Sequence, residues 1–378
     1  MAGAFFNPKN IAPMHKITTP ALLLDEDICK ANIRRMVEKA RRHNLLFKPH
    51  MKTHQSARVA GWLKDASVTA ITVSSVDMAR YFAADGWKEI TIAFPCNTGR
   101  VHELNELAQS ITLTLLINMP ETVRLLEKHL TTSVNAYIEI DTGSGRSGLP
   151  SDDITAIKEL IAAIDETEYI NWVGFYSHPG HSYGCRSKEE ISKVQHSVVT
   201  QFDHLRTHIE PAFRNFEICS GDTPCCSVAD NFGSIDAISP GNFVFYDLMQ
   251  NQIGSCTPAN IAVAMSCPVV DKYPERRELI IHGGAIHFSK ETITESGITH
   301  YGILAQKVDN HWEPLDDSSY LIKLSQEHGI IRCSNHAFKS YDIGDTVTIL
   351  PVHSCLTANL MGRYQLTDNN GTTVDMMK

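Results

Sequence analysis

Eight short apolar runs recur between Leu45 and Pro240, and amphipathic or polar stretches separate most of them. The runs are Leu45–Lys48, Thr69–Ser74, Glu89–Phe94, Thr112–Ile117, Ala136–Asp141, Trp172–Ser177, Phe216–Ser220 and Ile235–Ser239. Apolar runs this short, bounded by turn residues, read as buried strands. The stretches around them carry helical spacing. In Asp27–His43, ahead of the first run, Ile33, Met36, Val37 and Ala40 fall at i, i+3, i+4 and i+7. In Ser187–Ile209, Ile191, Val194, Val198 and Phe202 share one side of a polar helix. Strands alternating with helices pair in parallel, and eight such units close a barrel. The expected fold is therefore α/β, with a (β/α)8 TIM-type barrel over residues 19–251.

The texture changes after Gln252. Ile261–Val270, Glu278–Ile281, Tyr320–Leu324 and Thr346–Val352 read as strands, with polar loops and no long helix between them. A smaller antiparallel β domain is expected over 252–378, joined by a strand from residues 1–18. A length of 378 residues is consistent with two domains. The net charge of −9 argues against nucleic acid or an anionic membrane as the main partner. No run approaches the roughly 18 apolar residues of a membrane helix, and no secretory leader is expected from Met1–Lys16. The ten cysteines form no C-x-x-C pair and mostly lie in apolar patterns. All but Cys355 read as buried free thiols in a reducing compartment, which predicts a cytoplasmic protein.

In such barrels the functional residues follow the strands, and phosphate is often held after strands seven and eight. Lys52 follows strand one in Phe47-Lys48-Pro49-His50-Met51-Lys52-Thr53-His54. A lysine there can form an imine with an aldehyde. Ser220-Gly221-Asp222-Thr223-Pro224 follow strand seven and Pro240-Gly241-Asn242 follow strand eight. Glycines let backbone N–H groups approach an anion, and Thr223 and Asn242 add side-chain donors. A phosphorylated aldehyde held by a lysine is pyridoxal phosphate, whose ring is an electron sink. Far downstream, His353-Ser354-Cys355 ends an apolar run. On a strand, period two would put the nitrogen and sulfur on one face, a donor pair suited to a soft divalent metal.

These motifs resemble the fold-type III pyridoxal phosphate enzymes, in the branch holding D-serine dehydratase and D-threonine aldolase. The resemblance rests on the Lys48–His54 run, Thr72-Val73-Ser74, Ile140-Asp141-Thr142-Gly143 with Arg146, Gly221–Pro224, Pro240–Phe243, Gln326-Glu327-His328-Gly329 and Pro351–Cys355. These pieces span nearly the whole chain in the family's order. The resemblance implies Lys52 as the imine lysine. It implies Thr223, Gly241 and Asn242 as phosphate contacts, Arg146 at the cofactor ring, and Tyr183 on the cofactor face near the substrate. His353 and Cys355 would hold a divalent metal, zinc by the chemistry of sulfur. His181 and His328 are secondary candidates for the substrate carboxylate or metal; His50 and His54 read as supporting or core residues. The chain departs from the family at Lys48, where arginine is usual, at Asp222, where serine is usual, and at Phe243, where tyrosine is usual. A carboxylate at Asp222 would repel a phosphate unless it points away.

The implied activity is a lyase acting on a D-β-hydroxy amino acid. In the family, His with Cys marks the dehydratase type and His with Asp the aldolase type, so Cys355 favours β-elimination to a keto acid and ammonia. The alternatives are retro-aldol cleavage, racemisation with Tyr183 as the opposite-face acid, and cofactor carriage without turnover. The family also implies a homodimer.

Overall fold

A computed structural model describes residues 17–209, 215–309, 311–368 and 371–377. Its eight barrel strands are Leu46–Phe47, Ala70–Val73, Glu89–Pro95, Thr112–Leu116, Val134–Asp141, Ile170–Ser177, Glu217–Ser220 and Ala237–Ile238. Each falls on one of the eight apolar runs. All neighbouring pairs are parallel, and strand eight returns to strand one through Ala237↔Leu46 and Ile238↔Phe47. The seam between strands one and two is narrow. Just past strand one, the Met51 N–H donates to Thr72 O at 2.8 Å, and the Thr72 N–H donates to Pro49 O at 2.9 Å.

The helices form where the apolar stripe and caps agree. Glu26–Arg42 buries Ile33, Met36, Val37 and Ala40, and Asp25 caps it by accepting the Ile28 N–H at 3.1 Å. The other Asp25 oxygen meets Lys307 Nζ at 2.7 Å, so the same carboxylate ties the helix start to the second sheet. Leu116, Tyr137, Tyr176, Cys219 and Ala237 form a small apolar cluster of their own. One residue from each of five successive strands is what inward-facing barrel packing produces.

The C-terminal part is an antiparallel sheet of ten strands. The four expected strands are present, at Val263–Tyr273, Glu278–His282, Tyr320–Leu324 and Thr346–Pro351. Gly302–Val308, His328–Arg332 and Arg363–Leu366 join them. The strand expected from residues 1–18 falls almost wholly outside the described residues. The segment that reaches the sheet from ahead of the barrel is Ala21–Leu24, inside the span assigned to the barrel. It pairs antiparallel with Val263–Tyr273 and parallel with Arg363–Leu366, because its three leucines find a buried face there. Among the described residues no helix is long and apolar enough to cross a membrane.

Candidate active site

Lys52 lies where two cavities meet, of about 320 and 310 Å³. Both are lined by His50, Lys52 and His178. The Lys52 N–H donates to His50 Nδ1 at 3.3 Å, which turns the chain out of the barrel seam. Desolvation pulls the Lys52 ammonium below its usual range, and Arg146 adds to this against the pull of Cys355. The Lys52 loop is fastened from more than 300 residues downstream. Tyr364 Oη donates to His54 O at 2.7 Å, Ser56 Oγ donates to Asp375 O at 2.9 Å, and the Met377 N–H donates to Gln55 O at 2.6 Å. His54 itself is core: its ring is fully buried beside Met51 Sδ.

The loops after strands seven and eight form the floor of the first cavity, lined by Gly221, Asp222, Ser239, Gly241 and Asn242. A Cβ at Gly221 would stand 2.0 Å from Ser239 Oγ, and one at Gly241 would stand 3.1 Å from His50. A side chain at Gly221 would have to displace backbone, and one at Gly241 would be tight against His50 and Thr53. Asp222 points away from this floor. It N-caps the helix Thr223–Val228, where Oδ2 accepts the Cys225 N–H at 2.9 Å and the Ser182 hydroxyl at 2.6 Å. The carboxylate that looked out of place beside a phosphate is a helix cap. Thr223 is fully buried, and its hydroxyl has no partner among the described residues. The amide nitrogen of Asn242 is already committed, to Asp247 Oδ2 at 2.7 Å and Ser354 Oγ at 3.0 Å. Its side chain is a bridge, and what it offers the cavity is backbone.

Arg146 stands on the second cavity with Ser74, Phe94 and Tyr176. Asp141 Oδ1 gathers the N–H groups of Gly143, Ser144 and Gly145 at 3.0, 2.8 and 3.1 Å, and this curls the loop that presents the arginine. Behind it, buried Glu139 meets Arg146 Nη2 at 3.4 Å and accepts from Asn118 Nδ2 at 3.1 Å. Tyr183 lines the first cavity, and its hydroxyl accepts the Thr223 N–H at 3.4 Å. Burial, with Asp222 nearby, raises its pKa. His181 and His328 line neither cavity.

Lys48 turns from the cavity into the barrel. Its Nζ reaches Glu217 at 2.9 Å, Tyr137 Oη at 3.1 Å and Glu89 at 3.4 Å. Phe243 is fully buried, edge-on to Phe47 with ring centroids 5.7 Å apart, where a hydroxyl would find no water.

His353 and Cys355 line the first cavity with Lys52. They are not on a strand. The strand ends at Pro351, His353 is the N-cap of the helix Ser354–Met361, and Cys355 lies in its first turn. The chain leaves the sheet there because Asp247 Oδ2 accepts both the N–H and the hydroxyl of Ser354, at 2.9 and 3.1 Å. The two side chains still meet. Burial opposes charge on both, yet their mutual hydrogen bond and charge prevail, lifting His353 to about 9 and drawing the Cys355 thiol below its usual range. Each side chain favours the charged form of the other, and a divalent cation would favour the thiolate in the same way. Among the described residues His353 Nδ1 is buried without a partner, which leaves a nitrogen for such a cation. Thr53 Oγ1 and Asn242 Nδ2 lie 3.3 and 3.4 Å from the sulfur.

A second gathering of donors, His282, His287 and Glu327, lies on the C-terminal sheet. His287 Nδ1 accepts the Gly284 N–H at 3.1 Å. In the neutral ring the proton is then on Nε2, the atom facing Glu327, so this cluster suits hydrogen bonding better than metal binding.

Sequence reasoning passed over His178, Ser239 and Asp247 as site residues. His178 Nδ1 is hydrogen-bonded to Gly221 O, so its proton is on Nδ1 and Nε2 is an acceptor. Desolvation, with Lys52 next, lowers its pKa to about 4 and keeps it neutral. Its place directly after strand six was the signal available.

The comparisons with known proteins follow this geometry. Residues 24–248 match the family described as "Alanine racemase, N-terminal domain", and residues 262–367 match the one described as "Putative serine dehydratase domain". The chain is 27% identical to the D-serine dehydratase of Dictyostelium discoideum, over 98% of each chain. It is 26% identical to that of Schizosaccharomyces pombe, over 96% of this chain and 91% of the other. The solved structure of D-threo-3-hydroxyaspartate dehydratase from Delftia sp. HT23 superposes with a TM-score of 0.87 at 23% identity, over 95% of this chain and 97% of that one. The first family match alone spans more than half of the chain and ends just past the strand-eight loop. With Lys52 and the glycine loops at one barrel mouth, the chain belongs to the alanine racemase N-terminal domain family of fold-type III pyridoxal phosphate enzymes.

Proposed function

We propose that the protein is a lyase that removes the β-hydroxyl of a D-amino acid, with D-serine as substrate and pyruvate and ammonia as products. The observation that carries this reading is that Lys52, His353 and Cys355 line one cavity of about 320 Å³. The D-serine dehydratases among the relatives support it, as does a cysteine rather than a carboxylate at position 355.

The residues fit both groups that the reaction needs. Lys52, the backbone at Gly221 and Gly241–Asn242, the unpartnered Thr223 hydroxyl, Arg146 and Tyr183 would hold pyridoxal phosphate. His353 and Cys355 would hold a divalent metal, zinc by ligand chemistry. When bound, pyridoxal phosphate supplies an electron sink for charge at the α-carbon, and the metal a Lewis acid for the departing hydroxyl. Lys52 Nζ, its ammonium disfavoured by desolvation, is poised to take the α-proton in its neutral form. His178, held neutral, adds no positive charge beside it. Arg146, backed by Glu139, orients the ring. We further propose that the barrel and the C-terminal sheet are separate domains and that the protein is a cytoplasmic homodimer.

Lys52→Ala should lose the visible absorbance of the lysine-bound cofactor together with activity; a variant keeping both would sink the assignment. Chelation should spare that absorbance and stop pyruvate release from D-serine. If D-threonine cleavage to glycine and an aldehyde proves the dominant metal-dependent reaction, the protein is an aldolase instead.

A further inference from the structure

We propose that Asp247 fastens the His353–Cys355 turn to the Gly241–Asn242 loop, so that the metal and pyridoxal phosphate bind interdependently. This rests on the reading just given, in which the turn holds the metal and the loop holds the phosphate.

Asp247 is 1% exposed, and four donors converge on its carboxylate. Oδ1 accepts the Gln250 N–H at 2.9 Å, which caps the helix Leu248–Ile253. Oδ2 accepts Asn242 Nδ2 at 2.7 Å, the Ser354 N–H at 2.9 Å and the Ser354 hydroxyl at 3.1 Å. Two of these donors belong to the residue between the two metal-binding side chains. A third belongs to the loop that faces the phosphate. Asn242 Nδ2 closes the circuit, because it also reaches Ser354 Oγ at 3.0 Å and Cys355 Sγ at 3.4 Å. The turn and the loop are 112 positions apart in sequence and share one buried hydrogen-bond network.

Such a network transmits position. A phosphate drawing in the backbone of Gly241–Asn242 fixes the Asn242 amide, and with it the carboxylate and the Ser354 turn. A metal on His353 and Cys355 fixes the same network from its other end. Each ligand then finds part of the ordering already done by the other, and linkage requires the effect to be equal in both directions. Asp247→Ala would remove both acceptor oxygens and break the circuit, whereas an amide could still turn its oxygen to the three donors that Oδ2 holds.

The test uses the full-length protein. Its affinity for Zn2+ is measured against a competing chelator with pyridoxal phosphate bound and after its removal. Its affinity for pyridoxal phosphate is measured by absorbance with and without Zn2+. The expected result is that each tightens the other by about fivefold or more. Asp247→Ala should weaken Zn2+ binding by roughly 10- to 100-fold and bring the mutual factor to about one. Should that variant fail to fold, Ser354→Ala removes one donor, keeps the carboxylate, and should shrink the factor. Equal affinities in the unmodified protein, or a factor that survives in Asp247→Ala or is unchanged in Ser354→Ala, overturn the proposal. Zn2+ binding by Cys355→Ala as tight as in the unmodified protein would instead show that the metal assignment is wrong, and the proposal falls with it.

Discussion

Single atoms decide several features of this site. At Gly221 even a methyl group collides, at 2.0 Å from Ser239 Oγ and 2.8 Å from Ser239 O. Gly221→Ala should therefore cost about 1–3 kcal/mol of stability, read by denaturant titration, and weaken pyridoxal phosphate binding. A variant unchanged in both would remove Gly221 from the cavity floor. Lys48 makes a second case. Its ammonium is buried against Glu217, Tyr137 and Glu89. Lys48→Met would strand the Glu217 carboxylate and should cost about 3 kcal/mol, and adding Glu217→Gln should recover part of that. A double variant no more stable than the single one would show that the network is not electrostatic. That Lys48 departs from the family was readable in the sequence. That it points down into the barrel, toward residues at the starts of other strands, was not, because side-chain direction at a strand end depends on neighbours far away in sequence.

Elements were legible where their burial is continuous. Most barrel strands are covered on both faces, so they read as apolar runs even when only two residues pair, as at Ala237–Ile238; Leu46–Phe47, with Leu46 exposed, is the exception. Two strands of the C-terminal sheet that escaped notice are half-polar. His328–Arg332 begins and ends on exposed charged or polar residues, and Arg363–Leu366 alternates. The helix Ser354–Met361 escaped for another reason. Its start is set by Asp247, a partner 107 positions away, although Gly362 in a left-handed conformation marked its end. Short helices of this kind depend on their caps. Asp222→Ala should cost about 1 kcal/mol by uncapping Thr223–Val228, and should loosen the backbone beside the phosphate floor. Asp222→Ser, which keeps an acceptor, should restore most of the stability. Equal melting curves for the two variants would mean that the cap contributes nothing.

Across the molecule, buried neutral histidines set its response to acid. His54 is fully buried, and desolvation lowers its pKa to about 3; burial holds His50 well below its usual value. The unfolded chain would protonate both near pH 6.5, while the folded chain would not. Stability is therefore fully present above about pH 6.5 and is lost as pH falls towards 3, by about 1.4 kcal/mol per pH unit for each histidine. Denaturant midpoints at pH 7 and pH 5 should differ accordingly, and His54→Gln should flatten the dependence by one proton. An unchanged slope would mean that His54 is charged in the fold.

The downstream clasp on the Lys52 loop has a consequence for synthesis. Strands one to eight leave the ribosome before any of Tyr364, Asp375 or Met377 exists, yet those residues hold the backbone of His54 and Gln55 and the hydroxyl of Ser56. A nascent chain can close its barrel and still carry an unfastened lysine. If Lys52 holds the cofactor as proposed, loading belongs to the end of translation. A chain halted between strand eight and Tyr364 would carry all eight barrel strands and a Lys52 loop that nothing has yet fastened.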